Sequence, residues 1–347
     1  GSVTLSHATA MPKMMNGTQY MQYYNLGLQL DGEKPLFTEE QIASTYNGDP
    51  TDGIENTDWT KPLYRTTLMH QHNLSISGGT SKVKYFVSGG FMSQDGIMKD
   101  HSYERGTFRS NVEAKPHKNI DVSLNVAGSV ADNYVPGGYP YGNQQSYNVV
   151  HLLLYSLPFI PEEYDGMPTS AYRTASNAAN PVYGSANSGF QQSRRTKIET
   201  SARVEYSFPF LKGLKAAMFA SWDWQDLESK TFSYAYDLMA AEFNRETGEL
   251  SYRPAKSALF VDGGNMYVGD QKVQQVVLRP QITYAHKFGK HDVGALFLYE
   301  QTTDKSSKLA AGRQNFALYD LPELNFGTST TAYKEGASGK GVNAGFV

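Results

Sequence analysis

The clearest pattern in this chain is the alternation of apolar and polar residues. In residues 120–130 the even positions are Ile, Val, Leu, Val, Gly and Val, whereas the odd positions are polar or small. A period of two residues predicts a β-strand. The same pattern recurs in residues 83–91, 197–208, 214–224, 275–284 and 293–300, and more weakly in residues 103–114, where Ser110 interrupts the apolar face.

Ten charged residues of these predicted strands lie on the polar face. They are Asp121, Lys197, Glu199, Arg203, Glu205, Lys215, Asp223, Arg279, Asp292 and Glu300. A transmembrane barrel needs this arrangement because a basic residue that faces lipid at the bilayer midplane costs roughly 2–4 kcal/mol. A β-sandwich also keeps charge off its buried face, so the alternation alone leaves both architectures open.

Strand length and aromatic placement favour the barrel. Residues 198–208 and 214–224 are each about as long as the 9–11 residues that cross a bilayer, whereas globular strands average about 5–6. On the apolar face of this predicted hairpin, Tyr206 and Phe208 lie by the turn, and Trp222 and Trp224 lie at the far end. Aromatic residues at both ends of an aliphatic band are typical of the two membrane interfaces.

Short and long connections alternate along the chain. Tight turns are predicted at residues 78–81, 115–119, 209–213 and 288–291, and the long connections at 131–195, 225–272 and 303–340. Repeated loops of this length are uncommon in compact domains. Outer-membrane barrels have short periplasmic turns and longer extracellular loops, so we expect the tight turns to face the periplasm.

The region 11–67 differs and reads as a helical and loop insertion between the first strands. Asn16 is a candidate N-cap for a short helix through Tyr24, with Tyr20, Tyr23 and Tyr24 packed on one side. Thr38 and Gln41 form a predicted capping box for a second helix. A further strand is possible from Val3 to Thr9. The fold class that these patterns indicate is all-β, an antiparallel transmembrane β-barrel with short helices near the N-terminus.

Composition excludes several other classes. The 347 residues carry a formal net charge of −3, which gives no sign of nucleic-acid binding. There is no Cys, hence no disulfide framework and no thiolate metal site. Neither a phosphate-binding loop nor a Gly-x-Ser-x-Gly elbow is present, and we expect no enzyme activity. The 24 Tyr and 32 Gly suit an all-β protein.

Two groups of side chains could hold a metal. His286 and His291 flank a tight turn, where solvent exposure is the favoured interpretation. Asp49, Asp52, Glu55 and Asp58 form an acidic cluster around a glycine, which would suit Ca²⁺, but their spacing is not that of an EF-hand. A solvated loop is favoured there, so no cofactor is predicted.

The long connection 131–195 is rich in Tyr, Asn and Gln. Aromatic faces and amide groups suit the stacking and hydrogen bonding of sugars. The candidate substrate-binding residues are Tyr134, Tyr139, Tyr141, Asn143 and Tyr147. The alternative, which is favoured, is a self-packed loop or a surface on which a lipoprotein docks.

Several segments of the chain match the motifs of one protein family. They are Met11 to Asn16, Gln19 to Met21, Tyr23 to Asn25, Asn56 to Trp59, His72 to Thr80, Lys84 to Gly90, Gln94 to Ile97, Tyr103 to Arg105, Phe108 to Val112, and Leu157 to Pro161 with Tyr164 to Gly166. Together, and most strongly over residues 11–130, they resemble the SusC/RagA type of TonB-dependent outer-membrane transporter. Ile54-Glu55 departs from the family, which usually has Tyr-Pro there.

The resemblance implies a barrel in the outer membrane of a Gram-negative, Bacteroidetes-like bacterium. It also implies a plug and a TonB-contacting segment, a SusD-like surface lipoprotein as partner, and import of a glycan or peptide. The resemblance also implies a barrel of about 22 strands, which the roughly eight predicted strands and the further one at Val3 to Thr9 cannot close. We therefore expect the chain to be a portion of a large antiparallel transmembrane β-barrel within a longer polypeptide. The alternatives are a surface adhesin or glycan-binding β-protein without transport and, third, a hydrolase that would need a carboxylate pair.

Overall fold

The computed structural model describes residues 1–47, 54–137, 149–172, 178–244, 246–247, 249–258 and 262–346. Fourteen strands are described. In chain order they are β1 Ser2–Ser6, β2 Thr67–Gly79, β3 Val83–Asp95, β4 Ser102–His117, β5 Ile120–Pro136, β6 Glu163–Tyr164, β7 Met167–Pro168, β8 Gly189–Ser207, β9 Leu214–Ser233, β10 Asp237–Phe243, β11 Leu250–Lys256, β12 Asn265–Phe288, β13 His291–Phe316 and β14 Gly327–Phe346.

One large antiparallel sheet dominates the fold. Its ten strands follow the order β1-β2-β3-β4-β5-β8-β9-β12-β13-β14, so each strand pairs with the next one of the sheet along the chain. The pairs β6–β7 and β10–β11 form two separate small sheets inside the connections. This up-and-down order is that of a barrel wall, and the fold class predicted from the sequence is confirmed; a sandwich would need a second large sheet.

Short and long connections lie at opposite ends of the sheet. Residues 80–82, 118–119, 208–213 and 289–290 close one end, and all the longer connections lie at the other. Because consecutive strands are antiparallel, turns that alternate in length along the chain must segregate in this way.

The predicted loop boundaries at 131–195, 225–272 and 303–340 are wrong, because strands run well into all three ranges. β5 continues to Pro136, β9 to Ser233 and β13 to Phe316. In these extensions charged residues also occupy the face that is apolar nearer the short turns. Asp132 and Arg194, which form an ion pair across β5 and β8, are an example. Pairing continues where both faces are polar, but the two-residue period disappears from the sequence.

β4 is also longer than expected and takes in most of the turn predicted at residues 115–119. The strand runs to His117, and the β4–β5 register shifts between Ala114 and His117. Pro116 lies inside this shift. Proline cannot donate a ladder hydrogen bond, so it is accommodated where the pairing is irregular.

The described parts of the long connections contain four α-helices. They are α1 Gly17–Leu30, α2 Glu39–Asn47, α3 Val149–Leu154 and α4 Pro181–Asn187. The predicted caps are confirmed. The Asn16 and Thr38 side chains accept hydrogen bonds from the backbone N–H groups of Gln19 and Gln41. The Gln19 and Gln41 side chains in turn accept from the backbone N–H groups of Asn16 and Thr38. No helix among the described residues is long and apolar enough to span a bilayer.

The first helix differs from its prediction at the C-terminal end and on one face. It continues past Tyr24 to Leu30, after which Gly32 adopts a left-handed φ of 79°. Tyr20 and Tyr24 pack against the buried core of the connections, but Tyr23 is 60% exposed. Positions 20 and 24 are four residues apart and share a face, whereas position 23 points away from the core.

Candidate functional site

The sheet carries one continuous apolar face. The strand registers place Ile76, Val87, Ser110, Val126, Thr200, Trp222, Val276 and Thr303 in one cross-strand row. On each strand, the positions that lie an even number of residues from its member of this row point to the same side of the sheet. Leu74, Met218 and Phe297 on this side are 72%, 49% and 54% exposed. An uncovered apolar face of this extent indicates contact with an apolar medium or a large partner.

The height of the apolar band on β9 matches a bilayer. The outward residues from Leu214 to Trp224 are all apolar, and the next ones on that face are Asp226, Glu228 and Lys230. Ten residue steps span about 34 Å along an antiparallel strand, and a tilt of roughly 45° reduces this to about 24 Å of height. Outer-membrane barrels have an apolar band about 25 Å tall.

The opposite face is polar and organised by ion pairs. Glu205 lies between Arg203 and Lys215, at 2.9 Å and 2.7 Å from their nitrogens. Across β12 and β13, Arg279 contacts Glu300 at 2.5 Å, with its guanidinium 5.3 Å from the centre of the Phe219 ring. Such a wall suits a water-filled or plugged lumen, because paired charges are stable there and costly against lipid.

The described parts of the long connections pack into one structure, which we call the loop layer (residues 7–66, 149–188 and 234–264). Its largest buried cluster combines residues from all three ranges: Met21, Leu36, Phe37, Ile42, Ile54, Trp59, Leu63, Val149, Leu153, Phe159, Ile160, Ala171, Ala241 and Leu250. Polar residues stabilise it as well; the buried Asn25 amide bonds the backbone of Leu36 and Phe37 at 2.7–3.0 Å.

The segments that carry the family resemblance meet inside the loop layer. Trp59 Nε1 donates to the Leu157 carbonyl at 3.0 Å, and the Thr57 N–H donates to the Pro158 carbonyl at 2.8 Å. The Asn56 side chain accepts from the Gly17 N–H at 3.0 Å and so joins α1 to the same junction. Motifs about 100 residues apart in sequence are therefore parts of one packing unit.

A second junction in the loop layer centres on Asn180. Its Oδ1 caps α4 by accepting from the N–H groups of Val182 and Tyr183, and its Nδ2 donates to the Thr169 carbonyl at 2.9 Å. Its backbone bonds the phenol of Tyr236. Burial raises the pKa of Tyr236 far above its ordinary value, so the phenol stays neutral and can both donate and accept.

A groove of about 550 Å³ opens beside the first junction. It is lined by residues 12–16, 56–60 and 153–158 together with Tyr20. Met14, Met15, Leu154 and Tyr155 on its rim are 43–61% exposed. Flexible thioethers beside aromatic rings form an adaptable surface for a protein or peptide.

Of the predicted substrate-binding residues, the structure describes Tyr134. It lies near the end of β5 with its ring 6.2 Å from that of Phe190, on the side that is apolar lower down the strand. Tyr139, Tyr141, Asn143 and Tyr147 lie outside the described residues, and substrate contact by all five stays a prediction. Sequence reasoning missed the junctions at Trp59 and Asn180; the Asn56 to Trp59 motif was the available signal for the first.

The acidic cluster proposed for Ca²⁺ falls largely outside the described residues. Asp49 and Asp52 are not among them, whereas Glu55 and Asp58 are. Asp58 Oδ1 accepts from the Thr60 hydroxyl and N–H, which lowers the pKa of this carboxyl. Among the residues that the structure describes, no three metal-ligating side chains come together.

Comparison with known proteins confirms the resemblance inferred from the motifs. No family model matches the chain. The chain is 32% identical to TonB-dependent receptor P3 of Formosa agariphila over 36% of its length, and 32% identical to TonB-dependent receptor SusC of Bacteroides thetaiotaomicron over 32%. These matches span only 12% and 10% of the two relatives.

Solved structures show the same fold. The chain aligns over 99% of its length with the RagAB peptide transporter, with a TM-score of 0.71 and 15% identity. It aligns with the RagAB peptide importer in the closed-closed state with a TM-score of 0.68. The chain covers 39% and 38% of those chains. The chain therefore has the fold of part of a much larger barrel.

Proposed function

We propose that this chain, a part of a SusC/RagA-type TonB-dependent transporter barrel, serves the import of a glycan or peptide nutrient across the outer membrane of a Gram-negative, Bacteroidetes-like bacterium. The observation that carries the proposal is a single sheet with an exposed apolar band about 24 Å tall on one face and ion pairs such as Arg279–Glu300 on the other. In this proposal the chain forms part of the barrel wall and its loops, and it catalyses no reaction.

The loop layer is the proposed binding surface for the partner lipoprotein. A SusD-like lipoprotein would dock on the end of the sheet with the long connections, where the groove exposes Met14, Met15 and Tyr155. TonB would act through a segment on the periplasmic side. Energy relayed by TonB would be used to move the plug and the covering lipoprotein.

The proposed cargo contacts are Tyr134, Tyr139, Tyr141, Asn143 and Tyr147. Because the RagAB neighbours are described as peptide transporters, short peptides are the first class to test and oligosaccharides the second. Tyr rings and an Asn amide suit either class, since both present apolar faces and hydrogen-bonding groups.

The membrane placement is tested by spin labels on one strand. This chain has no cysteine. In a full-length protein that carries no other cysteine, Met218→Cys and Glu228→Cys place single labels on the same outward face of β9. In native outer membranes, the label at 218 should collide with lipid-soluble oxygen and be protected from a water-soluble nickel chelate. The label at 228, above the band, should show the reverse. Chelate access at 218 would contradict the proposal.

Transport and adhesion can be distinguished because only TonB-dependent transport needs TonB. Cells that use a labelled peptide or oligosaccharide mixture are compared with cells that lack this gene and with cells that lack TonB. A transporter predicts the same loss of uptake in both deletions, with binding at the cell surface retained without TonB. Uptake that continues without TonB would favour the adhesin.

A further inference from the structure

Three lysines on three neighbouring strands lie at the edge of the apolar band that is nearer the long connections. They are Lys272, Lys305 and Lys340. On β12 the outward residues pass from Val276 through Gln274 to Lys272, and on β14 Val342 is followed directly by Lys340. On β13 the corresponding first charge above the band is Lys305. On each strand the first charged outward residue above the band is therefore a lysine.

The lysines share a shallow groove of about 480 Å³ whose lining includes Trp224. Trp224 is the last outward apolar residue of β9, and it pairs in register with Gln274, which pairs with Lys305. Tryptophan favours the boundary between hydrocarbon and water. The groove therefore lies where the headgroups of an outer leaflet would be, with the apolar face directly below it.

Among the residues that the structure describes, two of the three lysines have no acidic partner. Lys305 and Lys340 are register partners on β13 and β14, so two cations stand directly opposite each other. Like charges in this position repel, and neither forms an ion pair with any residue that the structure describes. Lys272, in contrast, lies 2.8 Å from Asp270. The open pair can accept an anion from outside the chain.

The surface below the pair suits an acyl chain. Val342 and Phe346 on β14 are 54% and 70% exposed, and the Phe346 ring lies 4.9 Å from that of Tyr299 on β13. A ligand with a phosphate at the lysines and hydrocarbon along these residues would satisfy both parts of the surface. A soluble anion would use only the charges.

We propose that Lys305 and Lys340, flanked by Lys272 and Trp224, bind the phosphate of an outer-leaflet glycolipid whose acyl chains lie on Val342 and Phe346. Lysine offers a compact charge with three rotatable donors, which suits a phosphate that approaches from a mobile lipid. The inference rests on the proposed outer-membrane location and adds a specific lipid to it.

The test measures lipid binding to the full-length protein in detergent by native mass spectrometry. The probes are phosphorylated lipid A, the same lipid A after enzymatic removal of phosphate, and inorganic phosphate. The wild type is compared with a Lys305→Gln/Lys340→Gln variant, and the control variant is Lys212→Gln/Lys290→Gln at the turns of the other end. We expect at least a tenfold preference for the phosphorylated lipid, lost in the first variant and kept in the control.

Three results would overturn the inference. One is equal binding of both lipids by the wild type, another is unchanged binding by the Lys305/Lys340 variant, and the third is full competition by millimolar inorganic phosphate. The spin label at position 218 keeps the two proposals separate. If that label faces lipid and lipid A binding is unspecific, the lysine site fails while the transporter stands; if the label faces water, the membrane placement itself fails.

Discussion

The phenol of Tyr236 and the backbone of Asn180 satisfy each other's hydrogen bonds across 56 positions of sequence. The Asn180 N–H donates to the Tyr236 Oη at 2.8 Å, and the same hydroxyl donates to the Asn180 carbonyl at 3.0 Å. Both residues are buried. The pair joins the start of α4 to the segment that precedes β10, so it ties two separate connections of the barrel into one loop layer.

Tyr236→Phe should destabilise the loop layer by about 1–3 kcal/mol, because the buried Asn180 N–H loses its acceptor. The Asn180 carbonyl keeps its bond from the Gly184 N–H. The effect is measured as faster proteolysis of residues 149–188 and 234–264 under native conditions. Tyr183→Phe is the matched control, because it removes the same hydroxyl oxygen from a nearby tyrosine. The Tyr183 side chain is 38% exposed, so its hydroxyl is not needed to satisfy a buried group. Equal proteolysis of the two variants would show that the reciprocal bond is not important.

Trp59→Phe tests the junction between the motif segments. The substitution removes the bond from Nε1 to the Leu157 carbonyl and leaves a small void at a side chain that is 3% exposed. A cost of about 2–4 kcal/mol to the loop layer is expected from the two effects together. It would appear as faster cleavage between residues 54 and 66, whereas Trp222→Phe on the apolar face should leave this cleavage unchanged.

Arginine substitutions on β12 should separate its two faces. Leu278 is outward and 40% exposed, and Gln281 points to the polar side. Leu278→Arg near the middle of the band should cost roughly 2–4 kcal/mol, whereas Gln281→Arg should change little. The measurement is the urea midpoint for folding of the full-length protein into lipid vesicles. A larger loss for Gln281→Arg would reverse the assignment of lipid and lumen sides.

Acidification should loosen the segment around Trp59 through Asp58. Hydrogen bonds from Thr60 lower the pKa of the Asp58 carboxyl in the folded state. A lowered carboxyl pKa contributes stability at pH values above the unfolded pKa, and this stability is lost as the pH falls through the folded pKa. With every other Trp of the full-length protein replaced by Phe, Trp222 and Trp224 included, Trp59 fluorescence should shift to the red below about pH 4. Asp58→Asn should flatten this change, and an unaltered acid transition would exclude Asp58 as its source.

The sequence predicted the helix caps correctly but placed the ends of three strands too early. Asn16 and Thr38 were correctly predicted as caps, because a cap is a local pattern of three or four residues. The extent of β5, β9 and β13 was underestimated, because residues such as Asp132, Asp226 and Lys305 occupy the outward face above the band. Strand pairing persists there through the backbone, which leaves no trace in the alternation.

The sequence by itself determined the strands that cross the band, the two faces of each strand, and the separation of short turns from long connections. These features depend on neighbouring residues and on a contrast between hydrocarbon and water that repeats every second position. Only the tertiary structure decided that Trp59 meets Leu157, that Asn180 meets Tyr236 and that Lys305 stands opposite Lys340. Such contacts depend on how distant segments dock and on which strands become neighbours, and no local period encodes either of them.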